Sequence, residues 1–122
     1  MLLDRTKRFC IDVISLGKLL PDTYLGRYIR NQITRAGCSV ASNHRASRLA
    51  QSKASFVAKI SIVIEEADEC AFWSELIEYE FVMKDSLLSK VKKEANEIAS
   101  VFIATRKTIQ LKAKNTNKPN NS

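Results

Sequence analysis

At 122 residues the chain has the length of one domain, and 45% hydrophobic with 27% charged residues is the balance of a folded protein rather than a disordered one. Three Gly and two Pro are too few for a turn-rich β protein, no apolar run is long enough to span a bilayer, and the opening MLLDRTKRFC sets its charges after its leucines, the reverse of a secretory signal. The formal charge of +7 is unevenly spread, with +8 on residues 1–60, −6 on 61–97 and +5 on the remainder, so the expectation is a soluble cytoplasmic protein whose basic surfaces meet an anionic partner, an acidic face of another subunit, or both.

The first predicted helix runs from about Asp4 to Leu20. Phe9, Val13, Leu16 and Leu20 repeat at helical spacing, and Pro21 ends the element because it has no amide to donate. Asp22 or Thr23 can cap a second helix over about Tyr24 to Leu49. Its inward stripe reads Leu25, Ile29, Ile33 or Gln32, Ala36, Val40, Asn43 and Ser47. The small-residue run AGCSVAS at its centre invites the close approach of another helix. Ser52 is a cap for a third helix, about Lys53 to Tyr79, with Phe56, Ile60, Val63, Ala67 and Cys70 as its core stripe. A fourth, about Ser86 to Lys112, uses Leu88, Val91, Ala95, Ile98, Phe102, Thr105 and Ile109. The prediction is an all-α, up-down antiparallel four-helix bundle over residues 1–114, followed by a disordered tail at 115–122.

The third helix has more apolar residues than one core requires. Ile62, Trp73 and Leu76 fall opposite its core stripe and share that side with Glu65 and Glu69. A contiguous apolar patch on a surface marks an interface. On the second helix Arg27, Arg30, Arg45 and Arg48 share one face, with Thr34, Gly37 and Ala41 between them. That face can receive a neighbour's helix and pair its arginines with Glu65 or Glu69. A homo-oligomer is therefore expected, with contacts at Gly37, Ala41, Ile62, Glu65, Glu69, Trp73 and Leu76.

Material for catalysis is thin. Cys10, Cys38 and Cys70 are widely spaced and odd in number, so each reads as a small buried hydrophobe rather than part of a disulfide framework or zinc site. His44 is the sole histidine, which excludes the paired Glu-x-x-His of di-iron bundles and leaves a nucleophile triad without an acidic orienter. Helical HEPN-type ribonucleases place an Arg a few residues before a His. Here eight residues separate Arg35 from His44, and the motif is absent. A hard-cation site among Glu65, Asp68 and Glu69 stays open, and no phosphate-cradling glycine loop occurs. No cofactor is expected. Asn43 lies in the predicted core stripe, where its amide must be hydrogen-bonded, and a structural polar contact is the expected role.

The stretch RAGCSVASNHRASRLAQSKASFVAKISIVIEEADECAFW resembles the central part of bacterial four-helix bundle proteins encoded in 23S ribosomal RNA intervening sequences. That broad family includes the accessory variability determinants of diversity-generating retroelements. The matching positions are Arg35, Ser39 and Asn43, then Ser52 and Phe56, then Glu65, Glu66, Glu69 and Trp73. One departure is plain: relatives often follow the Asn with Ile-Ala-Glu-Gly, whereas this chain has His44-Arg45-Ala46-Ser47. The resemblance implies a homopentamer with a basic surface, which in the retroelement branch binds reverse transcriptase and nucleic acid. The leading expectation is then a non-enzymatic accessory protein that binds structured RNA. Candidate phosphate contacts are Arg27, Arg30, Arg45, Arg48, Lys53, Arg106, Lys107, Lys112 and Lys114. The alternative is a protein-interaction scaffold that docks a reverse transcriptase and has little nucleic-acid affinity of its own.

Overall fold

The computed structural model describes residues 2–116, with side chains described from 4 to 114. It contains α1 (Leu2–Lys18), α2 (Tyr24–Ser47), α3 (Lys53–Phe81) and α4 (Ser86–Thr116). The tail expected at 115–122 overlaps the last turn of α4 and otherwise lies outside the described residues. Of the two candidate caps for α2, Thr23 takes the role: its Oγ1 accepts from the Gly26 amide at 3.0 Å. Asp22 instead accepts from Arg27. Ser52 caps α3 through the Ser55 amide, and Asp85 Oδ1 accepts from the Leu87 amide at the start of α4.

α1 and α3 each pack against α2 and α4, while the backbones of the diagonal pairs stay apart. Paired side chains show that every neighbouring pair is antiparallel. Thr6 meets His44 and Cys10 meets Cys38 across α1–α2; Arg35 meets Glu66 and Glu69, and Tyr28 meets Trp73, across α2–α3. Lys92 meets Glu78 and Arg106 meets Ser61 across α3–α4. Arg5 to Glu94 and Lys90 to Asp12 close the α1–α4 seam. The core between the helices contains Phe9, Val13, Leu16, Leu20, Ile29, Ile33, Ala36, Val40, Ile60, Val63, Ala67 and Cys70, and is completed by Ala71, Ile77, Leu88, Val91, Ala95, Ile98 and Phe102. Phe56 packs against this cluster but is only half-buried.

Two expectations about the α1–α2 seam are corrected. Gly37 is buried inside the chain, where a Cβ would lie 2.8 Å from Val13 Cγ1, so its missing side chain serves α1 and not a neighbouring subunit. Cys10 and Cys38 are half-buried and adjacent, with the Cys10 thiol directed at Cys38 Sγ 3.5 Å away; Cys70 alone is fully buried.

α3 ends on Val82, whose φ of 49° lies in the left-handed region that a β-branched residue enters only with strain. Glycine avoids that strain but has more unfolded-state freedom to lose. Val82→Gly is therefore expected to stabilise the fold by roughly 0.5–1 kcal/mol, read as a higher urea midpoint at unchanged m-value. Among the described residues no helix is long and apolar enough to cross a membrane.

Candidate nucleic-acid interface

The antiparallel arrangement gathers the end of α2, the α2–α3 connection, the start of α3 and the end of α4 at one end of the bundle. Arg45, Arg48, Lys53, Lys107, Lys112 and Lys114 are all exposed there. Arg106 is half-buried and donates from Nη1 to Ser61 Oγ at 3.2 Å, which fixes its stem across α3. Arg45 and Arg48 also line a groove of about 510 Å³ between α1 and α2, with Asp4, Thr6, Lys7, Cys38, Ala41 and Ser42. Among the described residues no carboxylate pairs with Arg45, Arg48, Lys53, Lys107 or Lys114. Some of this positive charge complements the partial negative charge at the C-terminal ends of α2 and α4.

Arg27 and Arg30 are not part of this cluster. They share a helical face with Arg45 and Arg48, but Arg27 and Arg45 are separated by about 27 Å along the helix axis. Arg27 pairs with Asp22 at 2.9 Å. Arg30 donates from Nε to the Gly17 carbonyl and from Nη2 to the Leu20 carbonyl, closing the C-terminal end of α1. A shared helical face fixes the angle of residues around the axis and leaves the distance along it open.

Beneath the basic end lies a buried polar contact made by a residue that the predicted core stripe left out. His44, not Asn43, enters the core. Its ring is buried, Nδ1 and the Thr6 hydroxyl share a hydrogen bond of 2.8 Å, and it meets Phe102 edge-on with ring centroids 4.9 Å apart. Burial holds the imidazole below its ordinary pKa, and the charge of Arg48 pushes in the same direction. Asn43 is half-buried and its Nδ2 donates to the carbonyl and hydroxyl of Ser39, both at 2.9 Å. The contact is to the backbone of its own helix, which fits the structural polar role expected for Asn43. After Val40 the inward stripe continues by a step of four instead of three, and both steps fit a period of 3.6.

The acidic surface of α3 is partly satisfied within the chain. Arg35 donates to Glu66 at 3.2 Å and to Glu69 at 2.6 Å, and Trp73 Nε1 donates to Glu69 Oε1 at 3.2 Å. Partial burial works against charge on Glu69, but these donors hold its carboxyl below the usual range; burial raises that of Glu66, with Glu69 adding to the effect. The partner of Glu69 is thus Arg35 of the same chain, where a neighbour's arginine was expected. Trp73 and Leu76 are half-buried against the core, Ile62 is half-buried, Ala41 lines the α1–α2 groove, and Glu65 is exposed. Among the described residues no group of three or more His, Cys, Asp or Glu side chains is placed to hold a metal ion. The predicted stripe omitted an aromatic surface beside Trp73. Tyr28 and Phe72 both meet Trp73 edge-on, at 6.0 and 5.0 Å, and Tyr24 and Tyr79 stand exposed nearby along α2 and α3. Their signal was the four-residue step from Tyr24 to Tyr28 and the seven-residue step from Phe72 to Tyr79.

A four-helix bundle with one basic end is also the setting in which the family relationship is found. Residues 2–104 match the 23S rRNA-intervening sequence protein family, and the chain belongs to that family. It is similar to a protein of unknown function from the S23 ribosomal protein family of Bacteroides thetaiotaomicron VPI-5482, whose crystal structure superposes with a TM-score of 0.80. The two are 27% identical over 88% of this chain and 99% of the other. No curated protein matches the chain.

Proposed function

We propose that this protein is a non-enzymatic accessory protein that binds structured RNA through the basic end of the bundle and acts as a homo-oligomer. The observation that carries the reading is the convergence of Arg45, Arg48, Lys53, Lys107, Lys112 and Lys114 from three helices onto one exposed end. Long cationic side chains spread over one exposed end suit phosphates, which supply affinity without base reading. The family name, which refers to an intervening sequence of 23S rRNA, supports RNA as the polyanion. His44 faces Phe102 and Thr6 inside the bundle, a position that favours packing over proton transfer to a substrate. Assembly would rest on the exposed aromatic surface of Tyr24, Tyr28, Phe72 and Tyr79 and on the acidic side of α3, and a pentamer is the state that the resemblance implies. Repetition of the basic end around a ring would multiply weak phosphate contacts.

The exposed aromatics favour a second reading, in which the assembly is a scaffold that docks a protein such as a reverse transcriptase. A salt series separates the two. Binding of the intact protein to a structured RNA, followed by fluorescence anisotropy, is expected to weaken linearly on a log–log plot. Replacing Arg45 and Arg48 together by Glu should weaken it by about tenfold or more and reduce the slope by about 2. Arg27→Glu, at the other end, should leave it unchanged. Absence of RNA binding at low salt by an intact oligomer would favour the scaffold.

A further inference from the structure

Three features lie outside the proposed RNA contact: the aromatic surface on α2 and α3, the Arg35–Glu66–Glu69 cluster, and the thiols of the α1–α2 seam. The thiols carry an inference of their own. Cys10 and Cys38 are 28 residues apart in sequence, and their sulfurs are 3.5 Å apart in the fold. Nothing stands between them. Gly37, next to Cys38, packs directly on Val13, so the two helices are held closely at this level. A disulfide requires Cα atoms only about 4.4–6.8 Å apart, a separation that closely packed helices can reach. The two thiols differ in access. Cys38 lines the groove that also contains Lys7, Arg45 and Arg48, whereas Cys10 does not. The groove is positively charged and open to solvent at the same end as the basic cluster.

We propose that Cys10 and Cys38 are a redox-active dithiol, and that an anionic low-molecular-weight disulfide such as glutathione disulfide enters the Lys7–Arg45–Arg48 groove and oxidises them to an intramolecular disulfide that clamps α1 to α2. The exchange is balanced. The Cys38 thiol gives up its proton, and its thiolate attacks one sulfur of glutathione disulfide. An S–S bond forms between Cys38 and one glutathione, and the other glutathione leaves as a thiolate that takes up a proton. Cys10 then loses its proton, and its thiolate attacks Cys38 Sγ, expelling the second glutathione. Two electrons pass from the protein to the glutathione disulfide, and two molecules of glutathione are released.

Burial pushes the Cys10 thiol up to about 11, with its contact to Cys38 adding to the effect. The second step therefore accelerates as pH rises. Cys70 is enclosed in the core, and burial raises its thiol further still, which keeps it out of the exchange.

The test is incubation of the full-length protein with glutathione disulfide, with intact mass, denatured thiol titration and peptide mapping as readouts. The expected product has lost two hydrogens, retains one titratable thiol at Cys70, and yields a Cys10–Cys38 peptide pair. It should melt about 10 °C above the reduced protein. Cys10→Ser should stop at a stable glutathione adduct on Cys38, whereas Cys38→Ser should react several-fold more slowly than the native protein. Arg45→Glu with Arg48→Glu should slow the reaction with glutathione disulfide and leave that with neutral hydroxyethyl disulfide unchanged. A wild-type protein that stops at the glutathione adduct, or shows no reaction while reduced and folded, overturns the proposal. So does equal reaction of all three thiols.

Discussion

Phe102→Ala is expected to cost about 3–5 kcal/mol of stability. Phe102 is 1% exposed and is the α4 ring that crosses the bundle to His44 on the diagonal helix. Its removal would open a cavity beside a buried imidazole, and a cavity with a polar wall can admit water. The second consequence is a changed pH dependence. In the folded state His44 lies below its ordinary pKa, first because it is buried and then because Arg48 is near. The unfolded chain therefore binds the proton more readily than the folded one. Stability from this site is fully present above about pH 6.5 and is lost as pH falls from there towards the folded-state value. Solvating the ring in Phe102→Ala should return His44 towards its ordinary value and flatten the pH dependence of stability below about pH 6.5. His44→Gln, which keeps a polar partner for Thr6, should remove this contribution entirely. Urea titrations at several pH values decide the matter. An equal slope in all three proteins would show that His44 does not govern this window.

Gly26→Ala is expected to cost about 2 kcal/mol despite the intrinsic preference of helices for alanine, which alone would favour the variant by about 1 kcal/mol. Gly26 occupies the third position of α2, and its amide donates to Thr23 Oγ1. A Cβ there would overlap the Pro21 carbonyl oxygen and meet the Pro21 carbonyl carbon at 3.0 Å. The obstacle is backbone, so no rotamer change relieves it. The α1–α2 connection must move, and with it the buried Leu20 side chain and the Leu20 carbonyl that accepts from Arg30. Gly17→Ala is the matched control. There the Cβ would come 3.1 Å from Arg30 Cγ and 3.3 Å from Thr34 Oγ1, both on side chains that can shift. Equal urea midpoints for the two variants would falsify this account of Gly26.

The helices were legible because apolar spacing and punctuation agree. Phe9, Val13, Leu16 and Leu20 are buried as their period requires, and Pro21, Thr23 and Ser52 sit at the boundaries that they favour. The site was less legible, for two physical reasons. A helical projection collapses the axis, so Arg27 and Arg45 project as neighbours although most of the length of the helix separates them. Tertiary partners are also invisible in a period: nothing in the spacing tells that Gly37 accommodates Val13, that Glu69 is taken by Arg35, or that Cys10 faces Cys38. His44 shows the remaining weakness. A polar residue at the edge of a stripe reads as lying outside it, because the Thr6 hydroxyl whose hydrogen bond makes burial tolerable belongs to another helix.

The location of charge has a kinetic consequence. Arg45, Arg48, Lys53, Lys107 and Lys114 lie at one end of the bundle, while Glu75, Glu78, Glu80 and Asp85 lie towards the other. A body charged in this way has a permanent electric moment along its long axis, and near a polyanion it turns before it touches. The basic end would lead most encounters, and fewer collisions would be spent on the wrong orientation. Added salt would then act first on the rate of arrival, by erasing the torque that aligns the molecule.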